Sequence, residues 1–147
     1  MTSPSISSET LHASCVTLGG RGILIAGASG SGKSDLSLRL IDRGATLVSD
    51  DYTIVQRRDG RLHASPPNTI EGRIEIRGIG IIEMDFERDV PLCLAVDLSR
   101  ESLRMPGGEE RYFAAGVALP MLGLNAHEAS APLKVELALL KIGLPVR

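Results

Sequence analysis

The sequence predicts an α/β domain built around a phosphate-binding loop, and three observations carry that prediction. Gly27-Ala28-Ser29-Gly30-Ser31-Gly32-Lys33-Ser34 is a complete GxxxxGK[ST] string. A short apolar run, Ile23 to Ala26, precedes it, and a segment with helical periodicity follows it. A second apolar run then ends in Ser49-Asp50-Asp51. The order strand, glycine loop, helix, strand is the unit that builds a phosphate site at a helix N-terminus.

Taken in order, Leu11 to Leu18 alternates enough to be one strand, and Gly19-Gly20-Arg21-Gly22 is a turn. Ile23 to Ala26 reads as a buried strand. Lys33 to Arg43 is a helix, because Leu36, Leu40 and Ile41 share one face and Gly44 is a stop signal. Ala45 to Val48 is a strand. Tyr52 to Ala64 reads as two strands around Asp59-Gly60, a strong two-residue hairpin signal. "SPPNTIEG" is a loop expected to lie over the site. "RIEIRGIGIIEMDF" is β-rich, interrupted by Gly78 and Gly80, and "PLCLAVDLS" is a buried strand. "RMPGGEERYF" reads as a polar connection with a turn, and "GVALPML" as another strand. A last helix is expected from Pro132 through about Ile142, with Leu133, Val135, Leu137, Leu139 and Leu140 on its apolar side.

A chain of 147 residues fits one domain and buries a core without staples. No repeat, linker or second domain is evident. Residues 1–10 are expected to be a flexible, Ser-rich N-terminus and 11–147 the single domain. A net charge of −2 advertises no field for nucleic acid or anionic lipid, and aromatic residues for base stacking are few. Cys15 and Cys93 stand among small or apolar residues and read as buried free thiols; no CxxC or Cys/His cluster points to zinc. With no secretory h-region and no run of roughly 18 apolar residues, no membrane partner is expected, and the expected location is cytoplasmic.

The glycine string carries the most specific chemistry. Its glycines let backbone N–H groups converge on phosphate oxygens, and the following helix adds its positive end. Lys33 should reach the β- and γ-phosphates, and the Ser34 hydroxyl should ligate Mg²⁺. Asp50 and Asp51 at a strand end would lie near those phosphates and point to opposite sides. One would then bind or orient while the other faces the reaction as a general base. Taken alone, the pair is equally well an N-cap or turn pair; the glycine loop upstream favours function. Glu75 and Arg77 alternate with isoleucines and would share one strand face, where they suit Mg²⁺ and phosphate. Taken alone, that segment reads better as a half-exposed strand with a salt-bridge pair. No HRD or DFG string is present, which excludes an ordinary eukaryotic-type kinase fold.

The combination of Leu11-His12, GASGSGKS, Ser49-Asp50-Asp51 and "IEIRGIGIIE", in this order and spacing, resembles the HPr kinase/phosphorylase family. The resemblance covers roughly Leu11 to Gly143 and corresponds to the catalytic domain only, as in the short proteobacterial forms. It implies a P-loop kinase domain of the HPr kinase / phosphoenolpyruvate carboxykinase-like type, with a mixed β-sheet core and flanking helices. The implied activity is ATP- and Mg²⁺-dependent transfer to a serine of HPr or a related phosphocarrier of the phosphotransferase system, which regulates carbon and nitrogen metabolism. By position, Asp51 resembles the proton acceptor and Lys33 the catalytic, phosphate-binding lysine. Ser34 and Glu75 resemble the Mg²⁺ ligands, and His12 falls on the family's active-site histidine. Asp50 would support the metal or orient Asp51, and Arg77 would add positive charge at the phosphates. Family members are often hexamers, so a homo-oligomer is implied.

One departure limits the transfer. The family usually carries an Arg-rich Pro-Gly loop just before its C-terminal helices, tied to phosphorolysis. Here that place reads "MLGLNAHEASAPLKV", with no arginine from Met121 to Val135. Pro145-Val146-Arg147 lies after the last helix and is no equivalent, so phosphorolysis is not carried over. His127 and Lys134 are the polar residues that could compensate. Two other readings stand beside the serine kinase: a small-molecule kinase or carboxykinase-like P-loop enzyme, and a non-catalytic nucleotide-sensing module. A mere sensor has no need of Asp51 beside Lys33 and Ser34.

Overall fold

The structure, a computed structural model, describes residues 7–99 and 110–146. The chain opens with β1 (Ser8–Leu11), β2 (Ala13–Leu18) and β3 (Arg21–Ala26), followed by α1 (Lys33–Asp42) and β4 (Thr46–Ser49). β5 (Thr53–Arg58), β6 (Arg61–Ser65), a one-turn 3-10 helix (Asn68–Ile70), β7 (Arg73–Ile76) and β8 (Gly80–Glu83) make up the middle. β9 (Val90–Asp97), β10 (Arg111–Ala114), β11 (Val117–Gly123) and α2 (Ala131–Ile142) complete it.

Nine strands form one mixed sheet in the order β1-β5-β6-β9-β3-β2-β4, with β10 and β11 joining through β9; β7 and β8 form a separate two-stranded sheet. β9 runs parallel to β3 and to β11, and every other pairing is antiparallel. One edge of β9 is divided. Its start pairs with β6 at Val90 and Pro91, and its end pairs with β11 from Ala95 to Asp97. Its other edge follows β3, with a register shift between Gly22 and Ile23 that skips Cys93. A Cβ on Gly22 would come within 2.8 Å of the Pro91 carbonyl, so the close approach at that irregularity requires glycine.

Alternation in β3 divides the core. Ile23 and Ile25 face one cluster with Leu36 and Leu40 of α1 and Val135 and Leu139 of α2. Leu24 and Ala26 face the other, with Val55, Leu62, Leu92 and Leu119. A strand covered on both faces reads as a continuous apolar run, which is why Ile23–Ala26 carries no polar residue. The end of α2 is fastened by Arg21, whose guanidinium donates to the carbonyls of Leu139 and Leu144 (3.0 and 2.8 Å), a favourable place for a cation at a helix C-terminus.

The glycine-loop helix, the last helix and the Asp59-Gly60 hairpin lie where the sequence places them, but of the apolar side expected for the last helix only Val135 and Leu139 are buried, while Leu133, Leu137 and Leu140 are exposed. Asp59 and Gly60 both have positive φ (52° and 73°), as a two-residue hairpin turn of this hand needs. Four other readings change. The strand expected from Leu11 to Leu18 breaks at His12, where the chain leaves its pairing with β5 and joins β3 and β4. Ser8 to Thr10 belong to β1, so ordered pairing starts before the boundary expected at residue 11; residues 1–6 lie outside the described residues. The β-rich segment after Gly72 is a free-standing hairpin. Of the polar connection expected from Arg104 to Phe113, the part before Glu110 lies outside the described residues, and Arg111 to Phe113 are in β10.

Candidate functional site

The ends of β3 and β4, the start of β2 and the start of α1 meet at one place, and the hairpin β7–β8 stands over it. Between them lies a cavity of about 810 Å³. Its walls include Ser29, Gly30, Gly32, Lys33 and Ser34 from the glycine loop and Asp50 and Asp51 from the end of β4. Glu75, Arg77 and Ile79 come from the hairpin, and His127 from the segment before α2. No residue of "SPPNTIEG" lines it. The wall expected from that loop is supplied by the hairpin.

The glycine loop is shaped by contacts that only glycine permits. A Cβ on Gly27 would lie 2.6 Å from Ser31 Oγ, and Gly32, at φ 100°, caps α1 with no side-chain hydrogen bond. The leading N–H groups of α1 have no intrahelical partner. The buried Ser31 Oγ also has none among the described residues. Donors without acceptors at an uncapped helix N-terminus fit an anionic phosphate. Lys33 is buried and folds back over the loop, with Nζ donating to the carbonyls of Gly27 (2.9 Å) and Ala28 (3.1 Å).

The two carboxylates take different surroundings. Asp50 is buried; its Oδ1 accepts from Ser34 Oγ (2.6 Å) and Ser14 Oγ (3.1 Å), and its Oδ2 from the Glu75 N–H (3.1 Å). Asp51 is exposed, and His12 Nε2 lies 2.8 Å from its Oδ1. The backbone explains the divergence. The Tyr52 N–H donates to the Asp50 carbonyl at 2.7 Å while Asp51 sits at φ 67°. That is a γ-turn of the rare positive-φ kind. The Ser14 hydroxyl accepts the Asp51 N–H (3.0 Å), and Ser49 Oγ donates to the Tyr52 carbonyl. His12 reaches Asp51 because the strand breaks there, and its ring stacks on Tyr52 (centroids 5.1 Å apart, planes 25° apart).

Ser34, Asp50 and Glu75 offer oxygen ligands of the kind a hard cation takes. Among the described residues no three His, Cys, Asp or Glu side chains cluster as a metal cage. A serine hydroxyl and two carboxylates are a donor set that Mg²⁺ accepts. Arg77 lies beyond the end of β7, in the turn, so it does not share a strand face with Glu75 as the alternation implied; both nevertheless line the cavity. His127 lies beside Gly32 at the loop, whereas Lys134 is occupied with Glu128 (2.5 Å). Sequence reasoning missed Ser14, Tyr52 and Ile79. Only Ser14 carried a signal, as one of two hydroxyl residues, with Thr17, inside a mostly apolar strand.

Cys15 and Cys93 are both buried and free. Burial pushes the Cys15 thiol far above its ordinary range. Among the described residues, no helix is long and apolar enough to cross a membrane.

The sequence pattern of the HPr Serine kinase C-terminal domain matches residues 5–87. The HPr kinase/phosphorylase of Clostridium botulinum (strain Eklund 17B / Type B) is 47% identical over 74 residues, 50% of this chain and 24% of the relative. That of Brevibacillus brevis is 45% identical over 76 residues, 51% of this chain and 24% of the relative. The chain thus matches about a quarter of the length of these curated relatives. The solved structure of the Hpr(Ser) kinase/phosphatase from Coxiella burnetii superposes with a TM-score of 0.77 at 28% identity, covering 90% of this chain and 95% of that one. The stretch shared with the curated relatives, the matched pattern and the superposed fold agree: this chain belongs to the HPr serine kinase C-terminal domain family.

Proposed function

We propose that this protein is an ATP- and Mg²⁺-dependent serine kinase acting on HPr or a related phosphocarrier of the phosphotransferase system. One observation carries the reading. A continuous set of hydrogen bonds runs from Ser34 through Asp50 and Ser14 to the Asp51 backbone, and Asp51 then meets His12. In this reading that network would keep the phosphate end and the proton-accepting end of the site in fixed relation.

In this reading the glycine-loop N–H groups and Lys33 hold the ATP phosphates, and Ser34 and Glu75 hold Mg²⁺. The cation would neutralise charge on the phosphate oxygens. Transfer of this type depends on positioning and charge neutralisation more than on covalent help. Asp51 accepts the proton of the attacking serine, with His12 holding its carboxylate, and Arg77 adds positive charge at the cavity wall. The fold would be of the P-loop type akin to phosphoenolpyruvate carboxykinase, and the enzyme a cytoplasmic homo-oligomer, hexameric by family resemblance. Phosphorolysis is not proposed, since no arginine lies between Met121 and Val135.

The test is incubation with γ-labelled ATP, Mg²⁺ and purified HPr, beside Lys33→Ala and Asp51→Asn. Label on an HPr serine, lost in both variants, is the expected result. Label confined to small metabolites would replace the reading with a small-molecule kinase, and nucleotide binding without transfer would replace it with a sensing module. Phosphoserine-HPr with inorganic phosphate should yield little or no pyrophosphate.

A further inference from the structure

We propose that Tyr52 is a positioning residue that holds His12 against Asp51. The inference rests on the reading of Asp51 as the proton acceptor. His12 occupies the break between β1 and β2, outside the ladder of either strand. Its side chain is 39% exposed and that of Asp51 52% exposed, so packing in the core does not fix this pair. The His12 ring instead stacks on Tyr52. Offset or tilted stacking between aromatic rings limits rotation of both.

Tyr52 is itself held by its backbone. Its N–H closes the γ-turn on Asp50, and its carbonyl accepts from Ser49 Oγ. The residue that closes the turn under Asp51 therefore also carries the ring that orients the Asp51 partner. A carboxylate on an exposed turn samples many directions; fixing its hydrogen-bond partner narrows them to one.

Tyr52→Ala and Tyr52→Phe separate this role from bulk stability. In the HPr phosphorylation assay, Tyr52→Ala should lower kcat by about tenfold or more. KM for ATP should stay within about twofold, because the glycine loop is untouched, and Tyr52→Phe should restore kcat. NMR of the His12 ring, assigned with His12→Ala, reads the stack without activity. Its ring-current shift should vanish in Tyr52→Ala and persist in Tyr52→Phe. An unchanged His12 signal in Tyr52→Ala, an unchanged kcat, or equal loss in both variants would overturn the proposal. If the unmodified protein does not phosphorylate HPr, the kinase reading fails, while the NMR comparison still decides whether Tyr52 orients His12.

Discussion

Ser34 Oγ lies 2.6 Å from Asp50 Oδ1, so the last residue of the glycine motif and the first carboxylate after β4 act as one unit. The contact spans sixteen positions of sequence. It joins the start of α1 to the end of a neighbouring strand. Asp50 is buried with three donors facing it, which is the condition for keeping a carboxylate in the interior.

Asp50→Ala should therefore cost both activity and stability. Removing the carboxylate leaves the Ser14 and Ser34 hydroxyls and the Glu75 N–H without their acceptor, at about 1–3 kcal/mol. Phosphotransfer should fall by about 100-fold or more, because the Ser34 hydroxyl loses its orientation. Urea unfolding and the labelling assay measure the two effects. A variant as stable and active as the parent would show that this hub is incidental.

Ser14→Ala is the milder cut in the same network. Asp50 keeps two donors, but the Asp51 N–H loses its acceptor beneath a positive-φ turn. Stability should fall by about 1–3 kcal/mol, with a larger fractional loss in kcat than in ATP affinity. Isothermal titration with ATP beside steady-state kinetics separates the two.

Asp51 tests the turn itself. At φ 67° Asn is tolerated and a β-branched residue is not. Asp51→Asn should abolish transfer while leaving stability within about 1 kcal/mol. Asp51→Val should abolish transfer and also cost about 1–3 kcal/mol. Equal melting temperatures for the two variants would contradict the strained turn.

The alkaline limb of stability should be set partly by Cys15 and Tyr112. Burial raises both, and for Tyr112 the charges of Asp97 and then Glu9 add to it. The folded state holds these protons longer than the unfolded chain does. Their contribution is thus fully present below the ordinary values, about 9 for the thiol and 10 for the phenol, and is lost as pH rises above them. Each group adds a slope of up to about 1.4 kcal/mol per pH unit in that window. Tyr112→Phe should flatten the decline of urea stability above pH 10, and native Cys15 should resist thiol reagents until unfolding.

The local signals in the sequence were legible where short-range physics decides. Gly27 to Ser34, the helix stopped at Gly44 and the Asp59-Gly60 turn each follow from residues a few positions apart. The break at His12 was not legible, because the neighbours of a strand come from elsewhere: β1 pairs with β5, and β2 with β3 and β4. Arg77 was misplaced for a related reason. Period-two alternation continues through "IEIRG", but pairing with β8 stops at Ile76, opposite Gly80. Ser14 and Tyr52 gain meaning only from residues 36 positions and 40 positions away, at Asp50 and His12.

The divided edge of β9 bears on how the molecule comes apart. The two core clusters share this strand, as they share β3, and its two halves serve different neighbours. Neither cluster has a private spine, so neither can melt while the other survives. Loss of helix by circular dichroism and exposure of the two thiols should follow one curve. On the proposed reading, a nucleotide held at the start of α1 would stabilise the whole sheet against unfolding and not only the loop it touches.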